Sequence, residues 1–213
     1  MLVPALIAAG GILQAGQVRF LPLNDEIAGR ELAVRDAKGT KALENLSPGK
    51  RSAALAVEAG DKPLQLVALD RQAPGAAAPT VEIALAADLK SPLVLIVPDA
   101  EDPTGLRPIV IDDSQAGFPW GSLHFVNTTG QELVARYEKE EKPLPASTEP
   151  VSISPGGETR MIGIEVCKEE EEKPVYSAVW QHDPKIRKLV FIVVNADGDL
   201  YEVKVVPEDQ RSK

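Results

Sequence analysis

"SPLVLIVPDAEDPTGLRPIVIDD", residues 91–113, decides how the chain is read. An unbroken apolar run, Leu93 to Val97, is followed by an acidic turn containing Gly105, then by a second run around Ile109 to Ile111 that closes on Asp112 and Asp113. Five apolar residues between two prolines are too few for a buried helix and have no polar face, which predicts a central strand covered on both sides with a hairpin partner. "RKLVFIVVNADGDLYEVKVVPED", residues 187–209, repeats this layout, with Leu189 falling on Leu93 and a partner run at Tyr201 to Val205. Asn195, Asp197 and Gly198 in its turn suit positive φ.

Three further matches precede these two stretches in the same order. "GQVRFLPLN" at 16–24 fits "GSLHFVNTT" at 121–129, with Gly16, Val18 and Phe20 on Gly121, Leu123 and Phe125. Ser47-Pro48-Gly49 fits Ser154-Pro155-Gly156, and "DKPLQLVALD" at 61–70 fits "EKPVYSAVWQHD" at 172–183. Order is kept while spacing drifts by loop-sized amounts, which is how diverged copies of one domain behave. The reading is a duplication: a first domain at 16–111, a linker at 112–120, a second domain at 121–209 and a tail at 210–213. In both Ser-Pro-Gly segments, proline followed by glycine predicts a type II turn entering an alternating strand.

Each copy reads as β. Ala53, Leu55 and Val57, like Ile162, Ile164 and Val166, alternate with smaller or polar residues, the period of a half-buried strand. With 18 Pro and 16 Gly spread along the chain, no helical fold is accommodated, and short strands with frequent turns point to a sandwich or barrel. Of nine aromatic residues, eight lie between Phe118 and Tyr201, so the second domain is expected to have the larger core and the greater stability.

Charge and composition exclude several functions. The net charge of −9 is concentrated in residues 112–213, which carry 12 basic and 19 acidic groups, and no basic cluster is present. That excludes nucleic acid and disfavours anionic membranes. No transmembrane span is expected in the mature chain, because the apolar runs of its body are far too short. The single cysteine, Cys167, rules out an internal disulfide or a multi-cysteine zinc site, and the carboxylates of the following "KEEEEK" would make its thiol unreactive. No cofactor motif is found. "SPGK" lacks the preceding glycine and following helix of a phosphate loop.

His124 and His182 are the only histidines, and no Gly-x-Ser-x-Gly elbow accompanies them. His124 alternates with Leu123 and Phe125, so its side chain is expected to face outward. Candidate metal ligands are the acidic turns: Asp99, Glu101 and Asp102 in the first copy, Asn195, Asp197 and Asp199 in the second. The latter have the spacing that opens a calcium loop, but Leu200 and Val206 stand where its glycine and final carboxylate belong. "EKEEKP" at 138–143 and "KEEEEK" at 168–173 read as exposed loops guarding strand edges, with a basic partner as the sharper alternative. Phe118 and Trp120 lie at the joint and are expected to pack between the domains. Trp120 and Trp180 could also line a ligand surface.

"FPWGSLHFVN" at 118–127, the two Ser-Pro-Gly segments and "PVYSAVWQHDPKIRKLVFIV" at 174–193 together resemble uncharacterised exported bacterial proteins built from tandem immunoglobulin-like sandwich repeats. The resemblance implies an all-β chain of two tandem immunoglobulin-like antiparallel β-sandwich domains, and export. It implies no catalytic residues. Residues 1–15 of "MLVPALIAAGGILQAGQ" read as the apolar part of a secretory signal or an apolar tail. The expected function is non-catalytic: a cell-envelope or secreted protein acting through its surfaces on a protein or glycan partner, in adhesion, assembly or ligand binding. A carbohydrate-binding or hydrolase-associated module is the alternative, and a hydrolase with an unrecognised carboxylate site is the third reading.

Overall fold

The computed structural model describes residues 16–58, 60, 63–169, 171, 173–194 and 200–212. The expected signal, residues 1–15, and the turn residues Asn195, Asp197 and Asp199 lie outside the described residues. Two compact units make up the chain, one extending to Val110 and the other from Ile111 onward, with Pro48–Lys50 grouped with the second.

The first unit contains eight strands: β1 (Gly16–Pro22), β2 (Leu32–Asp36), β3 (Gly39–Ala42), β4 (Leu55–Val57), β5 (Leu64–Ala68), β6 (Thr80–Ile83), β7 (Pro92–Pro98) and β8 (Leu106–Asp112). They form two four-stranded sheets in the orders β4-β1-β7-β8 and β3-β2-β5-β6. The second unit again has eight: β9 (Leu123–Asn127), β10 (Leu133–Tyr137), β11 (Glu140–Leu144), β12 (Val151–Ile153), β13 (Arg160–Lys168), β14 (Pro174–His182), β15 (Ile186–Val194) and β16 (Tyr201–Asp209). Their orders, β12-β9-β15-β16 and β11-β10-β13-β14, are those of the first unit shifted by one whole copy. The protein is therefore all-β, two tandem β-sandwiches with the same strand order.

Register identifies which sequence matches are true equivalences. Phe20 stands beside Val94 and Phe125 beside Val190, so the matches at the start and end of each copy superpose strand on strand. The two middle matches do not. Ser47-Pro48-Gly49 precedes β4, whereas Ser154-Pro155-Gly156 follows its counterpart β12 and leads into β13. Likewise Pro63 precedes β5, but Pro174 opens β14, the counterpart of β6. The expected pair of type II turns is corrected too. Gly156 has φ 64, but Gly49 is not among the glycines of positive φ in the described residues. A proline-glycine turn is local chemistry that suits many connections, so its recurrence carries little information about descent.

Most strand pairs are antiparallel, but each unit has one parallel pair at its centre, β1 with β7 and β9 with β15. Parallel neighbours need a crossover, and here it runs through the opposite sheet. Leu93 to Val97 are 0–1% exposed and Leu189 to Ile192 0–2%, as expected of strands covered on both faces. In the second unit, Leu123, Phe125, Val190 and Ile192 of one sheet meet Leu133, Tyr137, Ile162 and Ile164 of the other in a continuous core. Phe20 is the one aromatic among the buried residues of the first unit, which fills its interior with Leu, Val, Ile and Ala.

Two local devices shape the first unit. A short helix, α1 (Asp25–Ala28), follows β1; the Asn24 carboxamide oxygen accepts from the Ile27 amide at 2.9 Å, and Asp25 and Glu26 suit the positive end of the turn. At the β2–β3 turn, Asp36 accepts from the amides of Lys38, Gly39 and Glu58 and from Lys41 Nζ at 2.6 Å. The Lys41 contact does most to hold this carboxyl down at about 2.

Candidate functional site

Consecutive strands β14 and β15 belong to different sheets, and the turn that carries the chain between them begins a groove. Asp183 makes that turn: its backbone carbonyl accepts from the Ile186 amide at 3.0 Å and its carboxylate from the Lys185 amide at 2.8 Å. Gly121 permits the close packing there, because it has φ 78 and a Cβ would lie 3.1 Å from Pro184 Cα. Beyond the turn, the free edges of β14 and β16 flank an open groove of about 610 Å³. Its apolar wall is Val179, Trp180, Ile186, Val205 and Pro207; its polar groups are Gln181, Asp183, Lys188 and Arg211.

The indole of Trp180 is positioned from both sides of its sequence. It stacks on Phe125 of the core, with centroids 6.4 Å apart and planes within 13°, and its N–H donates to the Tyr176 hydroxyl at 3.3 Å. Lys188 is half-buried, and burial lowers the pKa of its amine, which donates to the Gln181 carbonyl. Arg211 bridges the Asp183 carboxylate at 3.1 Å and that of Asp209 at 2.7 Å. A ligand here would meet an aromatic edge, aliphatic walls and paired charges of both signs. Such a groove can bind; its groups do not form a nucleophile with a base beside it.

The histidines lie elsewhere. His124 faces away from the core, as its alternation with Leu123 and Phe125 requires, and on that side it is covered, only 7% exposed. The segment after β8 covers it, with the Phe118 ring 4.5 Å away. Burial pushes its pKa down to about 4. Its Nδ1 lies 2.7 Å from Ser152 Oγ, the spacing of a nucleophile and base, but an imidazole so reluctant to take a proton is a weak base at neutral pH. Asp113, the acid beside it, gives its carboxylate to Arg187 at 3.1 Å. His182 is 2% exposed and its Nε2 is buried without a partner, so it does not reach a substrate surface.

Arg187 is a feature that sequence reasoning missed. Only 2% exposed, it pairs with Asp113 and Glu208, donates to the carbonyls of Asp113 and Phe118 at 3.0 and 2.8 Å, and lies over two rings, 4.7 Å from the Phe118 centroid and 4.9 Å from that of Trp120. The contacts described here for Phe118 and Trp120 are thus within the second unit, as walls of a cation site. A signal existed: an arginine opening a strand whose next residues are buried on both faces must find partners indoors. In the first unit, Arg19 of β1 donates to Ser91 Oγ just before β7 at 3.2 Å.

The acidic turn of the first unit is occupied by its own backbone. Asp99 accepts from the Glu101 amide at 3.1 Å, and Asp102 from the Thr104 amide at 2.8 Å and from the Thr104 hydroxyl. Among the described residues, no group of three or more His, Cys, Asp or Glu could hold a metal ion. The carboxylates of Asp99 and Asp102 thus hold this turn, to which Glu101 contributes its backbone amide. Cys167 is fully buried, and that burial raises its thiol pKa. Among the described residues, no helix is long and apolar enough to cross a membrane. No family model matches the chain, and no curated protein matches it.

Proposed function

We propose that the protein is a non-catalytic, exported protein of the cell envelope or secreted space that works by binding, with its ligand held in the groove between β14 and β16. The observation that carries this reading is the groove itself, a concave surface of about 610 Å³ combining Trp180 and aliphatic walls with Gln181, Asp183, Lys188 and Arg211. Kinship of the two sandwiches with immunoglobulin-like repeats belongs to the same proposal, supported by paired four-stranded sheets in each unit. Glycans are the second reading, favoured by an indole beside amide, carboxylate and ammonium groups, the set that meets sugar C–H faces and hydroxyls.

A glycan array run beside a pull-down from envelope extracts tests both. The proposal expects one retained ligand whose affinity falls about tenfold in Lys188→Ala or Gln181→Ala. Retention on the array selects the glycan reading, and a silent array with a captured envelope protein selects the other. A ligand held equally by Lys188→Ala and Val205→Lys would remove the groove from the mechanism. Turnover in a hydrolase screen would overturn the non-catalytic reading, and recovery of the native protein from cytosol would overturn export.

A further inference from the structure

Lys188 occupies an inward-facing position of β15. Alternate residues of a strand share a face, and Val190 and Ile192 of this strand lie in the sandwich core, so Lys188 shares their side. The free edges of β14 and β16 leave the sandwich open there, and the half-buried lysine lines the groove together with Trp180, Ile186 and Val205.

Its charge is not answered by the chain. The other buried or half-buried cations of the second unit, Arg136, Arg160, Lys168, Arg187 and Lys204, each face a carboxylate at 3.9 Å or less. Among the described residues, Lys188 makes no such pair: Asp183 attracts it only from beyond pairing distance, and the Asp183 carboxylate is held by Arg211 at 3.1 Å and by the Lys185 amide. With 32 acidic and 23 basic side chains, the protein does not lack acids to place there. The Lys188 amine donates to the Gln181 backbone carbonyl, one of the three bonds that an ammonium can give. Withdrawing an ammonium from water without a counter-ion is unfavourable, so an anionic group entering the groove would be stabilised.

We infer that the groove takes an acidic glycan, the carboxylate of a uronic acid residue pairing with Lys188 while the sugar ring lies against Trp180. This inference rests on the groove reading above and names its ligand. Two contacts favour a saccharide over an extended peptide. A peptide adding to the edge of β14 would bind its free backbone groups, but Lys188 already takes the Gln181 carbonyl that such a strand would need. The Trp180 N–H is satisfied by the Tyr176 hydroxyl, so the indole offers a ligand its carbon surface, which suits the C–H face of a sugar. The exposed Gln181 amide and the Asp183 carboxylate stand in the same lining to meet hydroxyl groups.

Calorimetric titration of the full chain with oligomers of galacturonate, glucuronate and mannuronate, each beside its carboxyl methyl ester, tests the inference. At least one acid should bind, at least about tenfold more tightly than its ester, and more weakly as salt is raised. Lys188→Gln keeps a donor for the Gln181 carbonyl but removes the charge, and should abolish that preference with circular dichroism and melting unchanged; Lys188→Arg should keep it. A polyglutamate peptide serves as the acidic control without sugar. Equal binding of acid and ester, a preference that survives Lys188→Gln, tighter binding of polyglutamate than of any uronate, or no binding of the uronates would each overturn the inference. Val205→Lys separates that failure from failure of the groove. A saccharide bound without regard to its carboxylate but weakened by Val205→Lys overturns only the acidic ligand, whereas binding indifferent to both Lys188→Gln and Val205→Lys overturns the groove reading as well.

Discussion

Arg187 shows what one buried charge does for the second unit. Its guanidinium ties Asp113, which follows β8, to Glu208 near the end of β16, and it is almost wholly buried against the rings of Phe118 and Trp120. Arg187→Met should cost about 3–5 kcal/mol in urea denaturation, because it leaves the Asp113 carboxylate buried without its cation. A loss below about 1 kcal/mol would mean that the carboxylate finds another partner. His124 beside it gives a pH signature. Its pKa, near 6.5 when unfolded, is held down to about 4 in the fold, by burial first and the Arg187 charge also, against the pull of Asp113 and Asp112. The unfolded chain therefore binds the proton more readily, and the contribution of neutral His124 is complete above about pH 6.5 and declines as pH falls toward 4. His124→Asn should flatten the stability curve in that window, measured by denaturation at successive pH values; an unchanged slope would move the effect to His182, whose pKa is lowered too. The head of a buried strand signalled that Arg187 would need partners, but which ones was not legible residue by residue. Asp113 and Glu208 are remote from Arg187 in the chain, and a partnership of that kind is visible only once the strands are placed.

The parallel pairs β1–β7 and β9–β15 are the elements on which both sandwiches are built. Unbroken apolar runs revealed β7 and β15, because a strand covered on both faces needs no polar alternate. Their amides should exchange most slowly in each unit, with Leu93 to Val97 and Leu189 to Ile192 outlasting the edge strands; faster exchange there than in β10 or β13 would contradict the central placement. The Ser-Pro-Gly segments misled for the opposite reason: turn chemistry is satisfied by neighbours in the chain and says little about the strand that follows. Gly156 does meet the demand read for it, with φ 64, and the Arg160 guanidinium donates to the carbonyls of Pro155 and Gly156 around it. The groove between β14 and β16 had no sequence signature beyond Trp180. Its walls come from strand edges whose separation depends on how two sheets pack.

At the scale of the whole molecule, the two units share a strand order but not a core chemistry. Fully burying an aromatic or large aliphatic side chain contributes roughly 1.5–3 kcal/mol. Phe125, Tyr137 and Phe191 are buried in the second unit, and only Phe20 answers them in the first. Limited proteolysis should release a resistant fragment beginning near residue 111 while the first unit is degraded. Survival of the first unit alone would show that its tightly packed aliphatic interior outweighs the aromatic excess. The common strand order also permits a comparison finer than any offset in sequence. Register sets Arg19 beside Leu93 and His124 beside Leu189, so the pair Arg19 and Ser91 occupies the same ground as His124 and Arg187. Both units therefore hold a positive side chain at one address in space, on β1 in the first unit and on β15, the partner strand of the pair, in the second, so that two positions which look unrelated in sequence form a single structural equivalence.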